Sequence, residues 1–239
     1  MPKFSDKALI VNTVAYGEQD GVVSFFTKEH GLTKAFVRRA FSKKTAAVVQ
    51  TGNFVNISYA ARLEEQLGTA VCDLEKSVAG KTLNAPDALS VLSCICAVLT
   101  LLPENVSEPE LFEDVENQFQ LAHTDGIFER YARFELRLLS VLGFGLDLSC
   151  CALTGTTENL SYVSPKSGRA VSFEAGAPWR EKLLELPCFL LNSQEGIETG
   201  EIKKALILTG FFLENYACKH INCPFPPARR RLFERVSAK

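Results

Sequence analysis

The chain has no long apolar run, no paired cysteine framework and no catalytic motif, and each absence removes a class of protein. Its most apolar stretch without a charge, residues 88–103, stops short of the roughly 18 apolar residues that a bilayer span needs, and Ser90, Ser93 and Thr100 interrupt it. A buried helix fits that stretch better. The opening Met-Pro-Lys-Phe-Ser-Asp-Lys carries no apolar core of a signal peptide, so a cytoplasmic protein that enters no membrane is expected. The 8 cysteines, at positions 72, 94, 96, 150, 151, 188, 218 and 223, sit mostly among apolar neighbours, as small reduced core residues do in the cytosol.

Catalytic chemistry is equally scarce. The 3 histidines, His30, His123 and His220, are isolated, and none stands at metal or acid–base spacing with a carboxylate. Gly80-Lys81-Thr82 has the ending of a phosphate-binding loop, but Glu75 occupies the place of that motif's first glycine. No Gly-x-Ser-x-Gly elbow occurs, and Cys150-Cys151 shows no sign of a paired base. The expectation is a non-enzymatic protein without a cofactor.

What is present is a charge asymmetry that the formal net charge of -2 conceals. Lys28, Lys34, Arg38, Arg39, Lys43 and Lys44 face only Glu29 over residues 28–44, a net +5. Over residues 81–126 the balance reverses, with Lys81 against eight acids, a net -7. A polyanion is drawn to the first region and repelled by the second.

Residues 8–75 alternate as strands do, in five runs at 8–16, 22–27, 32–37, 53–60 and 68–75 separated by turn formers. Gly-Glu-Gln-Asp-Gly (17–21) and Lys-Glu-His-Gly (28–31) close two hairpins, so the first three strands form a meander. Five strands in this length fit a small barrel, and periodicity leaves OB-type and SH3-like barrels equally open. The link at 38–52 places Phe41 among Arg38, Arg39, Lys43 and Lys44. Such a run is either solvated charge or a phosphate-tracking element, with Phe41 stacking on a base or tucked into the barrel.

Helical periodicity takes over beyond residue 78. Residues 85–102 are apolar nearly all round, with Pro86 in the first turn and Pro103 after the end, as in a helix at the middle of a bundle. Residues 108–123 and 127–142 are expected to pack on it, and 181–191 and 202–220 to close the domain. Arg130, Arg133 and Arg137 share one face of the 127–142 helix, either as a solvated face relieved by Glu129 and Glu135 or as an anion-binding surface. The basic tail at 228–235 reads as a mobile terminus, a frayed helix or a second phosphate contact.

The most specific stretch follows the glycine stop at Gly143 and Gly145. Gly-Phe-Gly-Leu-Asp-Leu-Ser-Cys-Cys-Ala-Leu-Thr-Gly (143–155) and Tyr-Val-Ser-Pro-Lys-Ser-Gly-Arg-Ala-Val-Ser (162–172) resemble the signature of the RecO family of bacterial recombination mediators. The resemblance extends in order and spacing over nearly the whole chain, including Ala-Leu-Ile-Val-Asn-Thr-Val-Ala-Tyr-Gly-Glu (8–18).

The resemblance implies an α+β chain: an OB-fold DNA-binding barrel at 1–78, then a helical domain at 79–239 with a zinc-loop-like insert at 146–173. It implies binding of single- and double-stranded DNA, annealing, engagement of the C-terminal tail of single-stranded-DNA-binding protein, and action with RecR to load RecA. Lys28, Lys34, Arg38, Arg39, Phe41, Lys43 and Lys44 are then the expected DNA contacts. Arg130, Arg133 and Arg137 are the candidate receivers of the tail. Many relatives have two cysteine pairs in the insert, whereas here Thr154 stands where a partner of Cys151 belongs and no cysteine intervenes before Cys188, so no zinc is expected. Two rival readings are a protein adaptor whose barrel does not touch DNA and, more remotely, a metal-dependent nuclease.

Overall fold

A computed structural model describes residues 2–63, 66–120, 126–191 and 199–239. By packing, the chain parts into two compact units, Met1–Asp125 and Gly126–Lys239.

Five strands open the first unit: β1 (Lys3–Tyr16), β2 (Asp20–Thr27), β3 (Gly31–Val37), β4 (Phe54–Ala60) and β5 (Gly68–Lys76). They close into a barrel in the order β1-β2-β3-β5-β4, with β4 returning to β1 and β3 pairing parallel to β5. This is a five-stranded closed barrel of the OB type. Alternation sends Ala8, Ile10, Val23, Phe25, Ala35, Val55 and Ile57 into the interior, where none exposes more than a trace of surface. A register shift between Ile10 and Asn12 adds one residue to β1 and bends it around the barrel.

Three helices follow in the same unit: α1 (Val78–Thr82), α2 (Pro86–Leu99) and α3 (Pro109–Gln120). The sequence places α2 and α3 in a helical bundle, but they pack on the barrel instead. Phe112 of α3 meets Phe26 and Phe54 at 5.7 and 5.9 Å between ring centroids. The Leu92 side chain of α2 lies so close to Gly52 that any Cβ there would sit 2.6 Å from it. The physical reason is that β1, β2 and β4 point apolar residues outward as well as inward, and the nearly all-apolar α2 supplies their cover. Asn53, fully buried, ties the arrangement together by donating to the carbonyls of Ala47 and Val48 and accepting from the Ala79 N–H. Thr82 donates its hydroxyl back to Val78 and Ala79 within α1, as a helix residue and not as part of a phosphate loop. Leu121 and His123, counted in the expected helix at 108–123, lie outside the described residues.

The second unit begins with α4 (Ile127–Val141). Its end follows the expected glycine signal: the Phe144 N–H reaches the Leu139 carbonyl and the Gly143 N–H that of Ser140, with Gly143 at φ 85°. That paired closure requires the left-handed backbone that glycine adopts without strain. The insert holds β6 (Leu160–Val163) and β7 (Ala170–Ser172), joined by the expected turn, in which the Gly168 N–H donates to Ser164.

The short helix α5 (Phe173–Gly176) leads into a 3-10 turn at Ala177–Lys182. Residues 181–191, expected as a helix, instead give β8 (Leu184–Glu185), which joins β6, and a second 3-10 turn at Cys188–Leu191. Pro187 has no N–H to donate and biases Leu186 away from helical geometry, so a continuous helix cannot form there. The chain closes with α6 (Thr199–Phe212), a π-helical turn at Leu213–Cys218, and α7 (Pro227–Ser237).

The basic tail is therefore an ordered helix, and its first arginine is buried. Arg229 is 1% exposed and Glu135 of α4 is fully buried. The Arg229 guanidinium donates from Nε to Glu135 Oε1 at 2.6 Å and from Nη2 to Oε2 at 2.9 Å, and also from Nη2 to the Leu206 carbonyl at 2.7 Å. Tyr131 and Thr209 hydroxyls donate to the same carboxylate at 2.7 and 2.5 Å. Glu135, read from the sequence as relieving a solvated arginine face, is thus the centre of a core network.

Candidate nucleic-acid interface

The link between β3 and β4 is built by short turns. The Phe41 N–H donates to the Gln19 carbonyl, and the Arg39 N–H donates to Asp20 Oδ1 at 2.7 Å, so the link is anchored to the β1–β2 turn. Arg39 adopts φ 55°, where its amide can reach Asp20. A Cβ on Gly21 would stand 2.9 Å from the Phe41 ring, so glycine at that position lets Phe41 lie across β2. Phe41 is 39% exposed and is neither buried in the barrel nor fully free.

Arg38, Arg39, Lys43 and Lys44 are all exposed. Among the described residues no carboxylate stands within ion-pair distance of any of the four. Four guanidinium and ammonium groups in one short link, without internal counter-charge, form a surface that attracts a polyanion.

Lys28 and Lys34, from the same net-positive run, are placed differently. Lys28 Nζ lies 3.0 Å from Glu113 of α3, whose hydrogen bond and charge raise the lysine's pKa. Lys34 Nζ lies 2.6 Å from Glu104. Lys7 is held by Glu116 and, at 2.6 Å, by Glu75; burial works against its charge, but these hydrogen bonds outweigh it and raise the pKa. The acids that make residues 81–126 negative therefore neutralise one side of the barrel and leave the link alone.

His30 also departs from the sequence reading. It is not isolated: Nδ1 is 2.8 Å from Asp6 Oδ2, and the ring stacks on Phe4 at 3.7 Å, which in turn stacks on Tyr59 at 4.7 Å. Only strand pairing across the barrel brings these residues together.

In the second unit, Arg130, Arg133 and Arg137 do lie along one side of α4. Arg137 is exposed, and Arg133 pairs with Glu129 at 3.1 Å while its guanidinium stands 5.4 Å from the centre of the Phe189 ring. Burial lowers the pKa of Arg130, with Glu129 opposing that effect. Phe134, next to them in sequence, is 2% exposed and belongs to the core.

The insert does not present a metal-ligand set. Among the described residues no three His, Cys, Asp or Glu side chains are grouped as a metal requires. Cys151 is buried and its sulfur accepts the Ser172 N–H at 3.3 Å. Burial pushes this thiol upward, but hydrogen bonds from Ser172, Thr154 and Leu153 prevail and bring its pKa down to about 6. Donors from the protein thus stand where a cation would otherwise stabilise the sulfur.

Two residues that the sequence reading passed over lie beside the link. Tyr16 and Phe36 meet edge to face at 5.7 Å on the outside of the barrel. Strand alternation held the signal, because Lys34, Phe36 and Arg38 follow one another at spacing two, and so do Val14 and Tyr16.

Comparison with known proteins agrees with this architecture. Family models described as recombination protein O N terminal and C terminal match residues 1–72 and 83–222. A DNA repair protein RecO of Bartonella henselae is 41% identical over 235 residues, 97% of this chain and 91% of the relative. That of Paracoccus denitrificans is 41% identical over 239 residues, covering 99% and 97%. That of Rhodospirillum rubrum is 37% identical over 249 residues, again covering 99% and 97%. The chain belongs to the RecO family.

Proposed function

We propose that this RecO-family chain is a recombination mediator in DNA repair that acts by binding and not by catalysis. Its barrel holds single- and double-stranded DNA and brings complementary strands together. The observation that carries the reading is the link, with its four unneutralised cations around Phe41 on an OB-type barrel. Basic groups in this setting track a phosphate backbone, and the barrel type is one that binds oligonucleotides. The division of labour is DNA at 1–78 and partners at 79–239. In keeping with the family, those partners are the single-stranded-DNA-binding protein, RecR and, through them, RecA, all in the cytoplasm and without a cofactor. No helix among the described residues is long and apolar enough to cross a membrane.

Binding to a single-stranded oligonucleotide should weaken steeply with salt. Neutralising about four phosphates predicts a slope of roughly -3 for log affinity against log salt. Replacing Arg38, Arg39, Lys43 and Lys44 by Ala should flatten that slope. A slope near zero in the unaltered protein, or one unchanged by the substitutions, would overturn the assignment and favour the adaptor reading.

Arg130, Arg133 and Arg137 are proposed to receive the acidic tail of the single-stranded-DNA-binding protein. The support is an arginine fork suited to a carboxylate, beside the Phe189 ring that Arg133 already covers. Fluorescence anisotropy with a tail peptide should show about tenfold weaker binding for Arg130→Ala and Arg133→Ala, each confirmed as folded. Unaltered affinity in both variants would move the search to Arg230 and Arg231.

A further inference from the structure

We infer that the outer face carrying Tyr16 and Phe36, with the cleft beside it, seats unpaired bases of a single DNA strand. This face, and not the basic link, is what makes the protein prefer an unpaired strand to a duplex. The inference rests on the DNA-binding reading above and assigns base recognition to residues outside the link.

The face is defined by strand register. Val14 pairs with Val22, Val22 with Phe36, and Phe36 with Thr69, so one row of outward side chains runs across β1, β2, β3 and β5. Tyr16 and Val71 continue it and are 64% and 67% exposed. Elsewhere the barrel's outward aromatics are covered, as Phe26 and Phe54 are by Phe112. Here the Tyr16 ring stands exposed and the Phe36 ring half-buried beside it, the two held perpendicular at 84°. An aromatic pair fixed in this way presents a π-face without losing further side-chain freedom on binding.

Beside the row, the barrel wall itself opens. The β3–β5 ladder ends at Phe36 and Thr69, and a cleft of about 430 Å³ lies along the two strands there, lined in part by Phe36, Val71, Thr45 and Val49, with Arg38 among its residues. Arg38 follows Phe36 by two residues, so a guanidinium for phosphate and a ring for a base belong to one strand edge. Asp20, the first residue of β2, accepts the Arg39 backbone N–H.

The chemistry selects the occupant. In a duplex each base already stacks on its neighbours, and only its edges reach the grooves; in a single strand the π-faces are free to stack on side chains. The link cations see phosphates in either form. The Tyr16–Phe36 pair therefore adds affinity for unpaired strands alone.

The test compares a single-stranded oligo-dT with a hairpin duplex of equal length by fluorescence anisotropy at one salt concentration. Tyr16→Ala and Phe36→Leu, checked for unchanged thermal unfolding, should weaken single-strand binding about tenfold or more and leave duplex affinity within about twofold. Tyr16→Trp should retain single-strand affinity, and the four-alanine link variant should lose both substrates together. Equal losses on both substrates, or undiminished single-strand binding, would overturn the inference while leaving DNA binding by the link intact. If the unaltered protein binds neither probe, the DNA-binding reading itself falls, and this inference with it.

Discussion

The link at 38–52 and helix α7 look alike in the sequence and differ completely in the molecule. Each carries adjacent arginines, Arg38-Arg39 in one and Arg229-Arg230-Arg231 in the other. In the link every cation faces solvent, with no carboxylate in reach among the described residues. In α7 the buried positions Arg229, Leu232 and Val236 follow helical spacing, which places the first arginine on the core side. There its guanidinium donates to both oxygens of Glu135 and to the Leu206 carbonyl. A run of like charges thus stays open to solvent only where the backbone keeps it out of a periodic apolar stripe. Inside such a stripe the same residues become part of the core and demand a partner, because an unpaired buried charge is very costly.

The largest effect that separates the two regions should come from Arg229→Ala. Stranding Glu135 without its partner is expected to destabilise the second unit by about 3–5 kcal/mol, read as a lower urea midpoint. The double replacement Arg229→Met with Glu135→Leu should recover much of that loss, since the pair can be exchanged for apolar packing. A single replacement costing under about 1 kcal/mol would show that water reaches the pair and that the contrast with the link is not one of burial.

Far smaller stability effects are expected in the link itself. The four-alanine variant that abolishes the salt dependence of DNA binding should keep its thermal midpoint nearly unchanged, since exposed substitutions usually stay within about 0.5 kcal/mol each. A large loss would mean that these side chains hold the barrel together. The smallest effect is expected at the insert, where hydrogen bonds already stabilise the Cys151 sulfur. Elemental analysis should find no stoichiometric zinc, and chelator should leave unfolding unmoved. One zinc per chain, lost together with the fold, would sink that expectation.

Much of the architecture was legible from local pattern. The five strands, the two hairpins, the glycine closure of α4 and the 164–168 turn all follow from alternation and from residues that permit positive φ. The helix expected at 181–191 does not form, because Pro187 breaks the apolar run: it has no N–H to donate and disfavours helical geometry at Leu186. The site was legible only in part. Link cations show themselves in composition, and the structure leaves all four exposed. The neutralisation of Lys28 and Lys34 by Glu113 and Glu104 depends on contacts across 85 and 70 residues, which no local pattern reports.

The sequence by itself determined the class of most elements, the sign of charge on each stretch and the family, because periodicity, turn chemistry and motif spacing are local properties. Only the tertiary structure decided which charges remain free. Closing the barrel brought α3 over one side, where its acids meet Lys7 and Lys28, while the link stayed clear. Strand register, a non-local property, lined up Val14, Val22, Phe36 and Thr69 into one open row. Whether a cation binds a partner or a neighbouring carboxylate is settled by distance in space, and distance in space is what a linear pattern does not contain.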